Sequence, residues 1–159
     1  IKEFPTGQAS INTIRNLLVQ LKNYDEFEPD LLIVDYLELL RPTREIQQEY
    51  QAQQKIAEEL RGVAMEHNFL VWTATQTNRQ GRMVKVITDA ELGDSYGKIR
   101  TCDFALSLNQ SEEEFDQGRM RGYVIKSRNG RPRFSVPMDI DYNILRMTEG
   151  EETFANEDD

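Results

Sequence analysis

The sequence predicts an α/β domain, with a mostly parallel sheet flanked by helices and an antiparallel hairpin at one edge. Two short apolar runs, at 31–34 and 69–74, indicate buried strands, and the helical pattern of 45–66 lies between them. Two further strand patterns, at 120–126 and 133–138, flank an Asn-Gly pair, which is a hairpin signal. This alternation followed by a hairpin is what predicts the fold class.

The other elements follow from local patterns. Ser10 is a suitable N-cap for an amphipathic helix at 10–23, whose apolar residues recur at spacings of three and four. Three short strands and two polar loops complete the prediction: strands at 1–4, 102–108 and 139–147, and loops at 80–97 and 109–118.

Size and composition indicate one soluble globular domain. The chain has 159 residues, of which 38% are hydrophobic and 30% are charged. It contains no apolar run long enough to span a membrane and no signal peptide. The single cysteine, Cys102, excludes an internal disulfide framework and a cysteine-rich zinc site, and this predicts a reducing, cytoplasmic setting.

Charge is unevenly distributed along the chain. The net charge of −9 argues against a nucleic-acid partner, but residues 149–159 hold six acids and no base, and without these acids the net charge is −3. Residues 119–133, in contrast, hold six bases and no acid. We therefore divide the chain into a domain at 1–148 and an acidic tail at 149–159, which we expect to be mobile.

Two polar residues follow the two buried strands directly. Asp35 ends the first strand, at the edge where open α/β sheets bind ligands and where a Walker B aspartate holds the Mg²⁺ of a nucleotide. An aspartate that merely caps the next turn explains Asp35 equally well. A right-handed crossover would bring Gln76 to the same edge, where an amide can position a γ-phosphate or its attacking water. Taken alone, Gln76 is better explained as a surface loop residue.

Lys126 and Arg128 form a second candidate site. One residue separates the two cations, so on an extended strand they would point to the same side and suit a polyanion such as a phosphate chain. An arginine from a neighbouring subunit can stabilise the charge of phosphoryl transfer. The alternative is a solvated basic hairpin tip, which the spacing alone slightly favours.

The loop from Arg79 to Lys98 carries scattered bases among small and polar residues, and such loops can follow a nucleic-acid backbone. An ordinary flexible loop is the alternative. Residues 93–99 come close to the phosphate-cradling pattern G-x-x-x-x-G-K-[ST], but one spacer residue is missing and Ile99 replaces the hydroxyl residue. The sequence therefore shows no Walker A element.

Taken in order, four stretches resemble the ATPase domain of the hexameric replicative DNA helicases, the DnaB family with its bacteriophage members. Residues 31–39 are similar to the family's Walker B strand with the following Asp-Tyr-Leu, and 75–79 to its Gln-x-Asn-Arg motif. Residues 88–103 more loosely resemble the DNA-facing loop and the Ala-Asp after it, and 125–130 the Lys-x-Arg-Asn-Gly hairpin. The resemblance covers nearly all of 1–147.

The resemblance implies a RecA-like fold, ATP and Mg²⁺ as cofactors, and a role for each candidate residue. Asp35 would organise Mg²⁺ through water, and Gln76 would link the γ-phosphate to the DNA-binding loops. Lys126 and Arg128 would reach the nucleotide of the neighbouring subunit. The residues implied to contact single-stranded DNA are Arg79, Arg82, Lys85, Ser95 and Lys98. The implied assembly is a homo-oligomeric ring, a hexamer, in the cytoplasm of a bacterium or a phage-infected bacterial host.

One departure from the family limits what the chain can do alone. The family's Walker A lysine and catalytic glutamate have no counterpart here, and we expect them upstream of Ile1. The chain alone should then bind ATP poorly and hydrolyse none. Besides a helicase motor segment, a RecA-like recombinase or clock-type ATPase and a non-catalytic RecA-like binding module stay open. The Lys-x-Arg-Asn-Gly hairpin favours the helicase.

Overall fold

The structure, a computed structural model, describes residues 1–76 and 96–150. The chain forms two compact units. Unit 1 consists of residues 1–76 and 94–102, and unit 2 of residues 77–93 and 103–159. No helix in the described ranges is both long enough and apolar enough to cross a membrane.

Unit 1 is built on two parallel strands and the helix that connects them. Its elements are α1 (Ile11–Tyr24), β1 (Leu31–Val34), a 3₁₀ turn (Leu37–Leu39), α2 (Glu49–His67), β2 (Leu70–Thr73) and α3 (Tyr96–Thr101). β1 and β2 pair in parallel, from Leu31 opposite Leu70 to Val34 opposite Thr73. The predicted strand–helix–strand order is confirmed, and Ser10 caps α1 through a reciprocal bond pair with Thr13.

The core of unit 1 lies on one face of this sheet. Leu32, Val34 and Val71 pack against a cluster of buried residues, which are Ile11, Ile14, Leu18, Leu37, Ile56, Ala57, Leu60, Val63 and Phe69. Side chains alternate across a strand, so the other residues of β1 and β2 face the opposite side. There Leu31, Ile33, Leu70 and Trp72 are between 44% and 67% exposed. The prediction of fully buried strands is therefore wrong for this chain, because helices cover only one face.

Unit 2 is an antiparallel sheet of four strands in the order β3-β4-β5-β6. Its elements are β3 (Phe104–Asn109), α4 (Glu112–Asp116), β4 (Arg119–Ser127), β5 (Ser135–Asp141) and β6 (Arg146–Glu149). The predicted hairpin is present as β4 and β5, and β6 confirms the terminal strand. Because β3 also pairs antiparallel with β4, the antiparallel part of the described structure is larger than a hairpin.

Four local predictions are corrected. Residues 1–4 form no strand, and α2 begins at Glu49 rather than near residue 45. The predicted loop at 109–118 contains α4, because Ser111 and Glu114 form a capping box at its start. The connection between β4 and β5 runs from 128 to 134, longer than a two-residue turn. Pro132 lies in it and has no N–H for the ladder.

Candidate functional site

Asp35 lies immediately after β1, at the carboxyl edge of the parallel sheet. Its side chain is exposed and has no ion-pair partner within the described ranges. The peptide bond that joins Asp35 to Tyr36 is cis. The exposed carboxylate is thus positioned at the edge where a ligand would bind.

Gln76 meets the same edge, through a run of bonds that continues past the paired strands. The Thr73 hydroxyl donates to the Val34 carbonyl oxygen at 2.9 Å, and the Leu37 N–H donates to the Ala74 carbonyl oxygen at 3.3 Å. The Gln76 side-chain amide then donates to the Tyr36 hydroxyl at 3.2 Å. The structure therefore brings Gln76 to the residue that follows Asp35.

A buried group that the sequence analysis did not find lies beside these two residues. We call it the Lys98 cluster, and its members are Glu38, Gln53, Thr75 and Lys98. The Lys98 ammonium donates to Glu38 Oε1 at 2.8 Å, to Gln53 Oε1 at 2.8 Å and to Thr75 Oγ1 at 2.7 Å. The Thr75 hydroxyl donates in turn to the Glu38 carboxylate. All three ammonium protons thus have an acceptor.

The environment of Glu38 favours its charged form. Burial alone raises the pKa of the Glu38 carboxyl, but the hydrogen bonds from Lys98 and Thr75 and the positive charge of Lys98 outweigh burial, so the pKa lies below the ordinary glutamate value. Glu38 Oε2 is buried and has no hydrogen-bond partner among residues 1–76 and 96–150. One sequence signal could have found this residue, since a charge within the apolar run Leu37–Leu40 needs a partner.

Lys98 is not where the sequence analysis placed it. It was predicted in an exposed loop that contacts DNA, but it lies in α3 and is only 4% exposed. The apolar neighbour Ile99 is buried as well, so α3 is anchored on unit 1 despite its glycine. An ammonium enclosed by three internal acceptors is not available to a DNA backbone in this conformation. The other predicted DNA contacts, which are Arg79, Arg82, Lys85 and Ser95, lie outside the described residues.

The second predicted pair lies in unit 2, at the end of β4. Lys126 is opposite Ala105 of β3, and Arg128 is one residue beyond the strand end. The strand alternation used to place both cations on one side therefore does not extend to Arg128. The Arg128 backbone N–H donates to the Asp103 carbonyl oxygen at 2.9 Å, and its guanidinium Nε lies 2.9 Å from Asp103 Oδ1.

The Arg128–Asp103 ion pair is weakly held. The two side chains are 51% and 55% exposed. Exposed ion pairs contribute about 0–1 kcal/mol, because water screens the charges and both side chains lose rotamer freedom. Arg128 can therefore leave Asp103 for another anion at little cost.

A sequence comparison decides the family. The chain is 35% identical over 133 residues to a DnaB-like replicative helicase of Enterobacteria phage T4, a match that covers 82% of this chain. The chain belongs to the DnaB-like replicative helicase family. A scan against protein-family models gives no match.

Solved structures of DnaB-like proteins share the fold. A solved helicase ATPase domain matches with a TM-score of 0.75 at 20% identity, over 90% of this chain and 52% of that one. A DnaB-like replicative helicase studied for its interactions with primase matches with a TM-score of 0.70 at 20% identity, over 84% of this chain and 34% of that one. The fold is thus RecA-like α/β, as predicted.

This DnaB-like chain spans only part of its relatives. It covers 28% of the length of the phage T4 helicase and 52% of the solved ATPase domain. It therefore corresponds to a part of the ATPase domain, and the activity of a whole helicase is a matter for proposal.

The site residues are compatible with Mg²⁺ and a nucleotide. Mg²⁺ is usually bound by one or two carboxylates together with waters and substrate phosphates, and the exposed Asp35 carboxylate can supply one such ligand. In the described ranges, no three or more His, Cys, Asp and Glu side chains cluster to form a cation site. The donor set thus suits a metal ion that arrives with phosphate oxygens.

Proposed function

We propose that this chain is part of the motor domain of an ATP-dependent replicative DNA helicase, which couples Mg-ATP hydrolysis at subunit interfaces to translocation along single-stranded DNA. The observation that carries this proposal is the shared edge of Asp35 and Gln76. Two parallel strands end there side by side, and Gln76 is bonded to the residue after Asp35. This is the arrangement that a metal-binding acid and a phosphate-sensing amide require.

Each residue at this edge has a defined task in the proposal. Asp35 holds Mg²⁺ through water, and the ion supplies charge neutralisation at the phosphates. Gln76 positions the γ-phosphate or the attacking water and responds to DNA.

Lys126 and Arg128 contact the nucleotide of the neighbouring subunit and stabilise the charge that develops during phosphoryl transfer. Two observations support this assignment. The stretch 119–133 contains six bases and no acid, and the pair that Arg128 makes with Asp103 is weak and exchangeable. A trans-acting arginine requires an assembly, so we propose a homo-oligomeric ring, a hexamer, in the cytoplasm of a bacterium or phage-infected host.

Single-stranded DNA is the proposed polyanion for the chain between the two described ranges. Arg79, Arg82, Lys85 and Ser95 are the proposed contacts, and the support is their composition of bases and small polar residues. Lys98 is not retained as a DNA contact because its ammonium is enclosed in the Lys98 cluster.

The test uses the full-length protein that contains this chain. The protein should hydrolyse ATP in a Mg²⁺-dependent reaction that single-stranded DNA accelerates, and it should unwind a forked duplex. Asp35→Asn should lower the ATPase rate by at least about a hundredfold, because a metal ligand is lost. The matched control is Asp30→Asn, at the other end of the same strand, which should keep the wild-type rate.

Two results would contradict the proposal. Wild-type protein without ATPase activity would favour a non-catalytic binding module, and equal rates for the Asp35 and Asp30 variants would remove Asp35 from the site. The 159-residue chain alone should bind ATP poorly and hydrolyse none, since its sequence shows no Walker A element.

A further inference from the structure

The Lys98 cluster connects three elements of unit 1 to a fourth. Glu38 lies in the 3₁₀ turn after β1, Thr75 follows β2, and Gln53 lies on α2. Lys98 of α3 bonds to all three, at distances from 2.7 to 2.8 Å. A single side chain thus joins the exits of both parallel strands.

The burial of this ion pair is informative because it is energetically unfavourable. The side chains of Lys98 and Glu38 are only 5% and 17% exposed. Removing two charges from water is costly, and apolar residues of similar volume often stabilise a fold as well or better. A buried ion pair is therefore poor evidence of a stabilising role. The directional bonds of the cluster fix positions in a way that apolar packing does not.

The positions fixed by the cluster adjoin the proposed nucleotide site. Thr75 is the residue before Gln76, and Glu38 is the third residue after Asp35. We propose that Lys98 is a positioning residue, which holds the carboxyl ends of β1 and β2 together and so places Gln76 against the turn at Asp35 and Tyr36. This inference rests on the proposed function, in which Gln76 acts on the nucleotide.

The cluster has a second geometric consequence. Thr75 and Lys98 flank residues 77–95 in the sequence, so the bond between them holds the two ends of that stretch together. DNA contacts are proposed for this stretch. The loss of the cluster should therefore reduce the response of the ATPase to DNA, in addition to the rate itself.

The test separates positioning from stability. Lys98→Met alone leaves the Glu38 carboxylate buried without its cation and should destabilise the protein. The double variant Glu38→Leu/Lys98→Met removes both charges at similar volume and should unfold near the wild-type temperature. In the full-length protein, the double variant should nevertheless lose about tenfold to a hundredfold in kcat with single-stranded DNA, because the reacting groups are misplaced.

Two further readouts mark a positioning role. The KM for ATP should change much less than kcat, and the ratio of the rates with and without DNA should fall. The matched control is Arg15→Met/Glu66→Leu, which removes the exposed ion pair between α1 and α2 and should leave kcat and the unfolding temperature unchanged.

The outcomes are distinct. A double variant with wild-type kcat and wild-type DNA stimulation would overturn the inference and leave the proposed function intact. Wild-type protein without DNA-stimulated ATPase would overturn both. If the double variant does not fold, Thr75→Val decides. It keeps the ion pair, and it should still lower kcat because the bond from Lys98 to the residue before Gln76 is lost; an unchanged kcat would overturn the inference.

Discussion

Asp35 and Gln76 are close because the two strands that precede them run in parallel. Their positions could be predicted, since a polar residue directly after a buried apolar run is visible in the sequence. The Lys98 cluster could not be predicted in this way. Glu38 and Lys98 are 60 residues apart, and neither lies in a periodic pattern. The acceptors that surround the Lys98 ammonium are brought together only when α3 packs on unit 1.

The lowered pKa of Glu38 predicts how stability depends on pH. Because the folded-state pKa lies below the unfolded value, the charged carboxylate contributes stability above the ordinary glutamate pKa of about 4.3. This contribution is lost as the pH falls through the folded-state pKa. The difference in the free energy of unfolding between wild type and Glu38→Gln should be largest near neutral pH and shrink below about pH 4.

Urea unfolding at a series of pH values measures this difference directly. The comparison requires reversible unfolding at each pH. A difference that is constant from neutral to acidic pH would show that the Glu38 carboxylate is not stabilised by its partners.

At the scale of elements, patterns of apolar residues predicted α1, β1, α2, β2 and the β4–β5 hairpin. They did not predict α3, because six residues that include a glycine carry no helical period and are held by packing on unit 1. They also did not show that β3 pairs antiparallel with β4, since strand direction depends on the path of the chain rather than on local sequence.

Two glycines test the fit of these elements. Gly62 lies inside α2 with open space around it, so Gly62→Ala should stabilise the protein by about 0.5–1 kcal/mol, because alanine loses less backbone entropy on folding. Gly118, just before β4, has φ +65°, and an added Cβ would lie 2.9 Å from the Ile140 carbonyl oxygen. Gly118→Ala should therefore destabilise the protein.

Thermal unfolding of the two variants beside wild type measures both effects. The pair serves as its own control, because the chemical change is the same at both positions. Equal shifts in the same direction would contradict the described backbone at Gly118.

At the scale of the whole molecule, the exposed face of β1 and β2 shows that unit 1 is not a finished domain. Parallel sheets are normally covered on both faces, whereas Leu31, Ile33, Leu70 and Trp72 are exposed here. The chain covers 52% of the solved helicase ATPase domain that it resembles. We expect the remaining part of such a domain to cover this face in the full-length protein. The apolar pattern of the strands predicted a second covered face but not what covers it.

The arginine in the β4–β5 connection carries the central claim that the active site is shared between subunits. If Arg128 acts on the neighbour's nucleotide, Arg128→Ala should abolish ATP hydrolysis and leave nucleotide binding largely intact. The matched control is Arg131→Ala, an exposed arginine in the same connection, which should keep its activity.

Mixing is the measurement that tests this claim most directly. The account predicts that Arg128→Ala subunits added to wild-type full-length protein lower the ATPase rate by more than their share of subunits, because each variant subunit disables the site of its neighbour. A rate that falls only in proportion to the share of variant subunits, together with loss of nucleotide binding by the variant, would contradict it.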